Sequence, residues 1–298
     1  MPEVAIVDAC RRRRGGGSPT AVLDDAPLTD QERRRIPAEL GTSHAVFLRA
    51  TGVEGARPSY TLRFFTSAGE LPACGHGTVA ALALLAHRTG GDAHRAGRDA
   101  YRTGGDAYHA VLRTTHRTFD GRATRDGDSL TASFDPGPVS LREVRGPELE
   151  AVTQGLGLTA EAVAGDACVA SNGRPRLLLP VPSRAVLAGL TPDFPLLSAA
   201  CDRYGLLGCY AYSPPDRHGR TAARMFAPSI GVPEDIANAN STACLAAHTA
   251  GSGVDRLVVD MGDHLGRPST VTAAVRHDGL ERRIRVGGRA AIVRTLVR

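Results

Sequence analysis

The chain has 298 residues, more than the roughly 100–200 of one typical domain, so two packed domains are expected. Hydrophobic residues make up 42% and charged residues 22%, near the globular averages of about 45–50% and about 25%, which excludes a wholly disordered chain. Tryptophan is absent, aromatic residues are only 4% and the net charge is +5, a balance that argues against base-stacking recognition of nucleic acid and suits a small anionic substrate.

Residues 4–7, Val-Ala-Ile-Val, read as a buried strand, and residues 8–19, with three glycines at 15–17, read as a turn. Thr29-Asp30-Gln31-Glu32 has the form of a capping box opening a helix to Leu40, which Gly41 ends. Residues 42–48 and 60–66 alternate as strands do. Residues 78–87 are continuously apolar and rich in helix formers, the profile of a buried helix with Cys74-Gly75-His76 at its N-terminus. Arg88-Thr-Gly-Gly-Asp-Ala-His94 nearly repeats as Arg102-Thr-Gly-Gly-Asp-Ala-Tyr108, a composition that suits a solvated surface insertion.

A second lobe is expected from residue 129, with strands at 130–134 and 176–181, a short helix at 184–190 and another at 194–204. Strands at 209–212 and 221–226 follow, the latter delivering a loop at 227–239 and a helix at 240–251. This strand–loop–helix order repeats that of the first lobe. The expected fold is therefore α+β, with two pseudo-symmetric lobes, 1–128 and 129–298, each a mixed sheet or open barrel wrapped around a central buried helix. The last strand is free to return to the first lobe. Two helix N-termini, with unpaired N–H groups and positive dipole ends, would cradle a substrate carboxylate between the lobes.

Glu70, Cys74 and His76 gather a carboxylate, a thiol and an imidazole at one helix start, where the dipole favours thiolate. Each has a structural alternative: a cap, a small buried residue, a packed ring. Asp235, before a helix opening with Asn240, holds the matching place in the second lobe, where capping is the plainer role. No Walker loop, dinucleotide fingerprint or zinc-type Cys/His spacing occurs, so neither metal nor cofactor is expected. The six cysteines form no Cys-x-x-Cys pair and Pro2-Glu3 runs directly into a strand-like segment, so a reducing, cytoplasmic setting is expected. No apolar run approaches the roughly 20 residues of a membrane span.

These motifs, taken in order, resemble the phenazine-biosynthesis PhzF-like family along the whole chain. The carriers are Val7-Asp8 with Gly17-Ser18-Pro19, Ser43-His44-Ala-Val-Phe47, Phe65-Thr-x3-Glu70-Leu-Pro-x-Cys74-Gly75-His76, Arg224-Met-Phe226-Ala227-Pro228 with Gly231-Val-Pro-Glu234-Asp235, and Val286-Gly-Gly-Arg289. The resemblance implies a diaminopimelate-epimerase-like fold, a homodimer, and metal- and cofactor-free proton transfer in small unsaturated acids, often on antibiotic pathways.

Three departures from the family pattern bear on the chemistry. His44 stands where the family carries its glutamate proton shuttle, and a histidine with an ordinary pKa near 6.5 can do that work. Asn240 replaces a serine expected to hold the substrate carboxylate, with Ala239 in place of a glycine. Cys74 matches the first thiol of proline-racemase-like sites, but Cys244 falls about one helical turn too late to be the second. The resemblance thus implies His44, Asp235 and Cys74 as catalytic residues and Ser18, Glu70, Gly75, His76 and Asn240 as substrate-binding ones. It points to a carboxylated substrate other than the phenazine precursor, such as the precursor of an alkylated proline unit. Two alternatives stand beside it: a racemase or epimerase using Cys74, and a homologue that binds ligand without turnover.

Overall fold

The computed structural model describes residues 3–13, 15–96, 107–127, 129–159, 162–163, 165–278 and 281–297. In chain order the elements are β1 (Glu3–Arg11), β2 (Ser18–Asp24), α1 (Asp30–Leu40), β3 (His44–Glu54), β4 (Arg57–Phe65), β5 (Glu70–Leu71), α2 (Gly75–Ala96), β6 (Ala107–Arg113), β7 (Thr118–Asp126) and β8 (Ser129–Phe134). Then come β9 (Ser140–Glu143), α3 (Gly146–Gly155), β10 (Cys168–Ser171), β11 (Pro175–Pro180), α4 (Arg184–Ala188), α5 (Phe194–Tyr204), β12 (Cys209–Tyr212), β13 (Arg220–Ala227), β14 (Val232–Asp235), α6 (Ala239–Ala250), β15 (Arg256–Met261), β16 (Ser269–Asp278) and β17 (Glu281–Val297). The chain divides into two compact units, Met1–Asp135 with Gly287–Arg298, and Pro136–Val286.

In the first unit the strands form a hydrogen-bonded circuit, β1–β2–β3–β4–β6–β7–β8–β17 and back to β1, so the α+β fold contains a closed barrel rather than an open one. Closure removes the unpaired strand edges that an open sheet would present. The pleat sends alternate side chains of each strand to opposite faces. Ala45 and Phe47 of β3 join Val4, Ile6, Ala21, Leu23 and Ile36 in a core under α1. Val46 of β3 and Phe64 of β4 point the other way, to the start of α2, where a Cβ on Gly77 would lie 3.1 Å from each. α2 itself packs against β1, β2, β3, β7 and β8, and Val79 through Leu85 are all buried.

Several local expectations hold for stated reasons. Thr29 and Glu32 form the reciprocal capping box of α1, and Gly41 ends it in the left-handed conformation at φ 65°. Others are corrected. Residues 8–19 are not one turn, because β1 continues to Arg11 and Ser18-Pro19 already belong to β2, paired antiparallel with it. α2 runs on to Ala96, so the first copy of the 88–108 repeat is helical, while most of the second copy lies outside the described residues. β8, expected to open the second lobe, pairs with β7 and belongs to the first unit.

The second unit carries the pairings β9–β10–β11–β12–β13–β14, with β15 parallel to β13 and β16 antiparallel to β15. Its apolar core, including Val152, Leu156, Leu177, Leu179, Leu197 and Phe226, joins α3 and α5 to these strands. The loop expected at 227–239 is shorter than that, because a 3-10 turn (Pro228–Ile230) and β14 occupy much of it. Among the described residues no helix is long and apolar enough to cross a membrane.

Gly287, in the motif singled out near the C-terminus, has a packing role. A Cβ there would lie 2.0 Å from the Ala132 carbonyl oxygen and 2.7 Å from Ser133 Cα, so only glycine lets β17 run this close to β8. Gly287→Ala is expected to destabilise the protein by about 2–3 kcal/mol, the upper range for overpacking, as read from the denaturant midpoint at unchanged slope.

Candidate functional site

Three of the expected site residues meet in the first unit. His44 opens β3, and its place is set from β2: Thr20 is its parallel partner, the Ser43 N–H donates to the Pro19 carbonyl at 3.0 Å, and the Ser18 and Ser43 hydroxyls lie 3.0 Å apart. Ser18 is fully buried, so its hydroxyl anchors the start of β3 rather than lining an open site. Cys74 precedes α2, where its carbonyl accepts from both the N–H and the hydroxyl of Thr78, at 2.9 and 2.8 Å. Gly75 and His76 are the first two residues of that helix.

The side chains converge tightly. His44 Nδ1 and His76 Nε2 are 2.9 Å apart, and the rings cross edge-to-face at 77° with centroids 4.3 Å apart. Cys74 Sγ lies 3.4 Å from the same His76 nitrogen. All three are buried: His44 is 4% exposed, Cys74 6% and His76 2%. Burial, and secondarily the neighbouring His76, hold the His44 pKa well below the ordinary 6.5. At neutral pH His44 is therefore an uncharged base with one ring nitrogen, Nδ1, committed to His76.

Sequence spacing showed no metal-type set, yet the fold assembles one: His44, Cys74 and His76 place their ligand atoms within 4.8 Å of one another. The direct His44–His76 bond was also not anticipated, since the two residues are 32 positions apart. Its signal lay in the two-residue period of β3. His44 shares a face with Val46, and that face looks at the start of α2.

Glu70 is placed differently from the expectation. It sits in the two-residue strand β5, and both its oxygens are taken by Arg63, from Nε at 2.8 Å and an NH2 group at 2.6 Å, with Asp30 closing the network at 3.0 Å. It neither caps α2 nor joins the buried trio. The spacing Glu70-x5-His76 suggested proximity, but β5 turns the carboxylate onto the β4 arginine.

In the second unit Asp235 ends β14 and is mostly buried. Its Oδ2 accepts from Asn238 Nδ2 at 2.9 Å and its Oδ1 from the Ala237 N–H at 3.4 Å. Asn238 in turn caps α6, its Oδ1 accepting from the Ser241 N–H at 2.8 Å. The capping role thus falls to Asn238, with Asp235 orienting it. Asn240, the second residue of α6, has its Oδ1 buried without a hydrogen-bond partner. β14 is itself anchored by the buried pair Arg224–Glu234, bidentate at 2.9 and 2.7 Å, while the Arg224 NH1 group donates to the Leu187 and Leu190 carbonyls.

Burial bears on the second thiol. Cys244 is fully buried inside α6 and desolvation pushes its thiol up; desolvation also raises the Cys168 thiol, in that case to about 11. Burial thus disfavours a thiolate at either position.

A family model described as phenazine biosynthesis-like protein, PhzC-PhzF, matches residues 7–295. An uncharacterized isomerase of Deinococcus radiodurans is 30% identical over 294 residues, covering 94% of this chain and 88% of that protein. The trans-2,3-dihydro-3-hydroxyanthranilate isomerase of Pseudomonas chlororaphis is 28% identical over 279 residues, covering 92% and 90% respectively. The solved structure of a predicted epimerase from Pseudomonas aeruginosa superposes with a TM-score of 0.80 at 26% identity, covering 99% of this chain and 98% of that one.

Two measurements test this description. The Arg63–Glu70 pair is partly exposed, so Glu70→Gln is expected to cost under about 1 kcal/mol, whereas Glu234→Gln leaves Arg224 buried and unpaired and is expected to cost about 3–5 kcal/mol in chemical denaturation. The depressed His44 pKa also links to stability. Below pH 6.5 the unfolded chain takes up a proton that the folded chain refuses, so this contribution is complete above 6.5 and is lost as pH falls towards the folded value. The melting temperature should therefore fall on acidification through 6.5, with a shallower slope in His44→Gln.

Proposed function

We propose a specific reaction for this chain, which belongs to the phenazine biosynthesis-like PhzC-PhzF family and is an isomerase: it moves a proton, and with it a double bond, within a small unsaturated carboxylic or amino acid, without metal or organic cofactor. The observation that carries the proposal is the buried 2.9 Å contact between His44, where the family resemblance implies a glutamate proton shuttle, and His76.

His44 Nδ1 donates to His76 Nε2, which leaves His44 Nε2 as the basic nitrogen. Nε2 takes a proton from a carbon activated by conjugation to the carboxylate, and the electron pair moves to shift the double bond. The same Nε2 then returns a proton to the far carbon. His76 accepts the Nδ1 hydrogen bond throughout, and that bond strengthens while His44 is positively charged. The N–H groups at the start of α2 favour the negative charge that develops on the substrate. The difference of Asn240 from the serine that the family resemblance places there supports a substrate other than dihydrohydroxyanthranilate, in the class of alkylated proline precursors used in antibiotic biosynthesis. Cys74, 3.4 Å from His76, supports a second reading in which its thiolate is the base of a racemase or epimerase.

Incubation with candidate unsaturated acids in deuterated water, followed by NMR, tests both readings. Double-bond migration with deuterium incorporated at the receiving carbon is the expected result, while exchange at an α-carbon without migration favours the racemase. His44→Gln is expected to lower kcat by at least about 100-fold, the contribution of a positioned base, and undiminished turnover would remove His44 from the mechanism. Because the base must be uncharged, kcat/KM should stay level down through pH 6.5 and fall only at lower pH.

A further inference from the structure

His76 Nε2 has two neighbours, His44 Nδ1 at 2.9 Å and Cys74 Sγ at 3.4 Å. A neutral imidazole nitrogen carries either one proton or one lone pair, so a single proton arrangement serves one of these contacts well and the other poorly. A metal ion would satisfy all three atoms at once. Zinc binds nitrogen at about 2.0–2.1 Å and sulfur at about 2.3 Å, so a tetrahedral site separates two nitrogens by about 3.3 Å and a nitrogen from a sulfur by about 3.6 Å. These two contacts need to open by only about 0.4 and 0.2 Å to reach those values, and all three ligand atoms lie within 4.8 Å of one another.

The donor set selects the ion. One thiolate with two imidazoles is soft to borderline and suits zinc, whereas magnesium and calcium require oxygen ligands. The site is built from two elements that the barrel holds rigidly: β3, anchored through Ser43 and Ser18, and the entrance to α2, fitted against Val46 and Phe64 by Gly77. Three protein ligands leave a fourth position open, as at catalytic rather than closed structural zinc centres. The positive end of the α2 dipole opposes a cation, and the negative charge of a sulfur ligand offsets it.

We propose that His44, Cys74 and His76 form a binding site for one thiophilic divalent cation of the zinc type, and that the ion and isomerisation exclude one another. Binding releases the Cys74 thiol proton to solvent as the sulfur–metal bond forms. The proton between the rings moves to His44 Nε2, so that Nδ1 and the His76 Nε2 become ligands. His44 Nε2 is then protonated and is no longer a base. The exclusion half of this proposal rests on the isomerase reading; the binding half does not.

Titration of the chelator-dialysed full-length protein with Co2+ tests the site. One ion per chain with a sulfur-to-cobalt charge-transfer band is expected, with the band bleached by Zn2+ and absent from Cys74→Ser and His76→Gln variants that retain the wild-type circular dichroism. Zn2+ should also raise the melting temperature of the wild type and leave that of Cys74→Ser unmoved. No band in the wild type, or a band that survives Cys74→Ser, overturns the site. With an active substrate, one equivalent of Zn2+ should abolish turnover and a chelator restore it; turnover unchanged or raised by zinc overturns the exclusion. A cobalt band in a protein that shows no proton exchange with or without metal supports the site while defeating the isomerase reading.

Discussion

The hydrogen bond between His44 and His76 depends on two independent pieces of architecture meeting to within a few tenths of an ångström, and the chemistry of the first unit follows from it. His44 comes from a strand start pinned by the Ser18–Ser43 contact, and His76 from a helix start that approaches the sheet because position 77 has no side chain. Burial of both rings makes the charged form of His44 costly, so the pair rests neutral. A carboxylate in the same surroundings would be driven towards its protonated form. A histidine is driven towards its basic one. An imidazole is therefore the group that stays neutral in this buried position without a compensating cation.

The hydrogen bond also limits what the pair can do. With Nδ1 of His44 engaged, Nε2 is the ring nitrogen not committed to His76. Cys74 adds a third polar atom to a nitrogen already in use, and this crowding underlies both the proposed metal site and the proposed proton relay. The two uses draw on the same lone pairs.

The second unit solves a different problem, the orientation of a helix start. Glu234 holds Arg224, Arg224 holds the end of α4 through two carbonyls, and the adjacent Asp235 holds Asn238, which caps α6. Arg224, Glu234, Asp235 and Asn238 are each partnered in this series, as buried charges and polar groups require. The nearby Asn240 keeps a buried oxygen without a hydrogen-bond partner.

Much of this was readable in one dimension. The capping box at Thr29–Glu32, the left-handed Gly41, the α5 span and the β12 span depend on neighbouring residues, and local chemistry decided them. The motif order along the chain was enough to identify the family, and the apolar run after Gly77 to identify the buried helix. Closure of the barrel was not legible, because strand pairing over more than a hundred residues, such as β1 with β17, leaves no local mark beyond a glycine like Gly287. Nor was the fate of Glu70, whose closeness in sequence to His76 counted for less than the hairpin that turned it to Arg63. Sequence by itself determined which residue types were present for chemistry and which helix start would present them. Tertiary structure decided which atoms touch, since a hydrogen bond or a metal site is a condition on distances of about 3 Å, and only the packing of strand against helix sets distances between residues far apart in the chain.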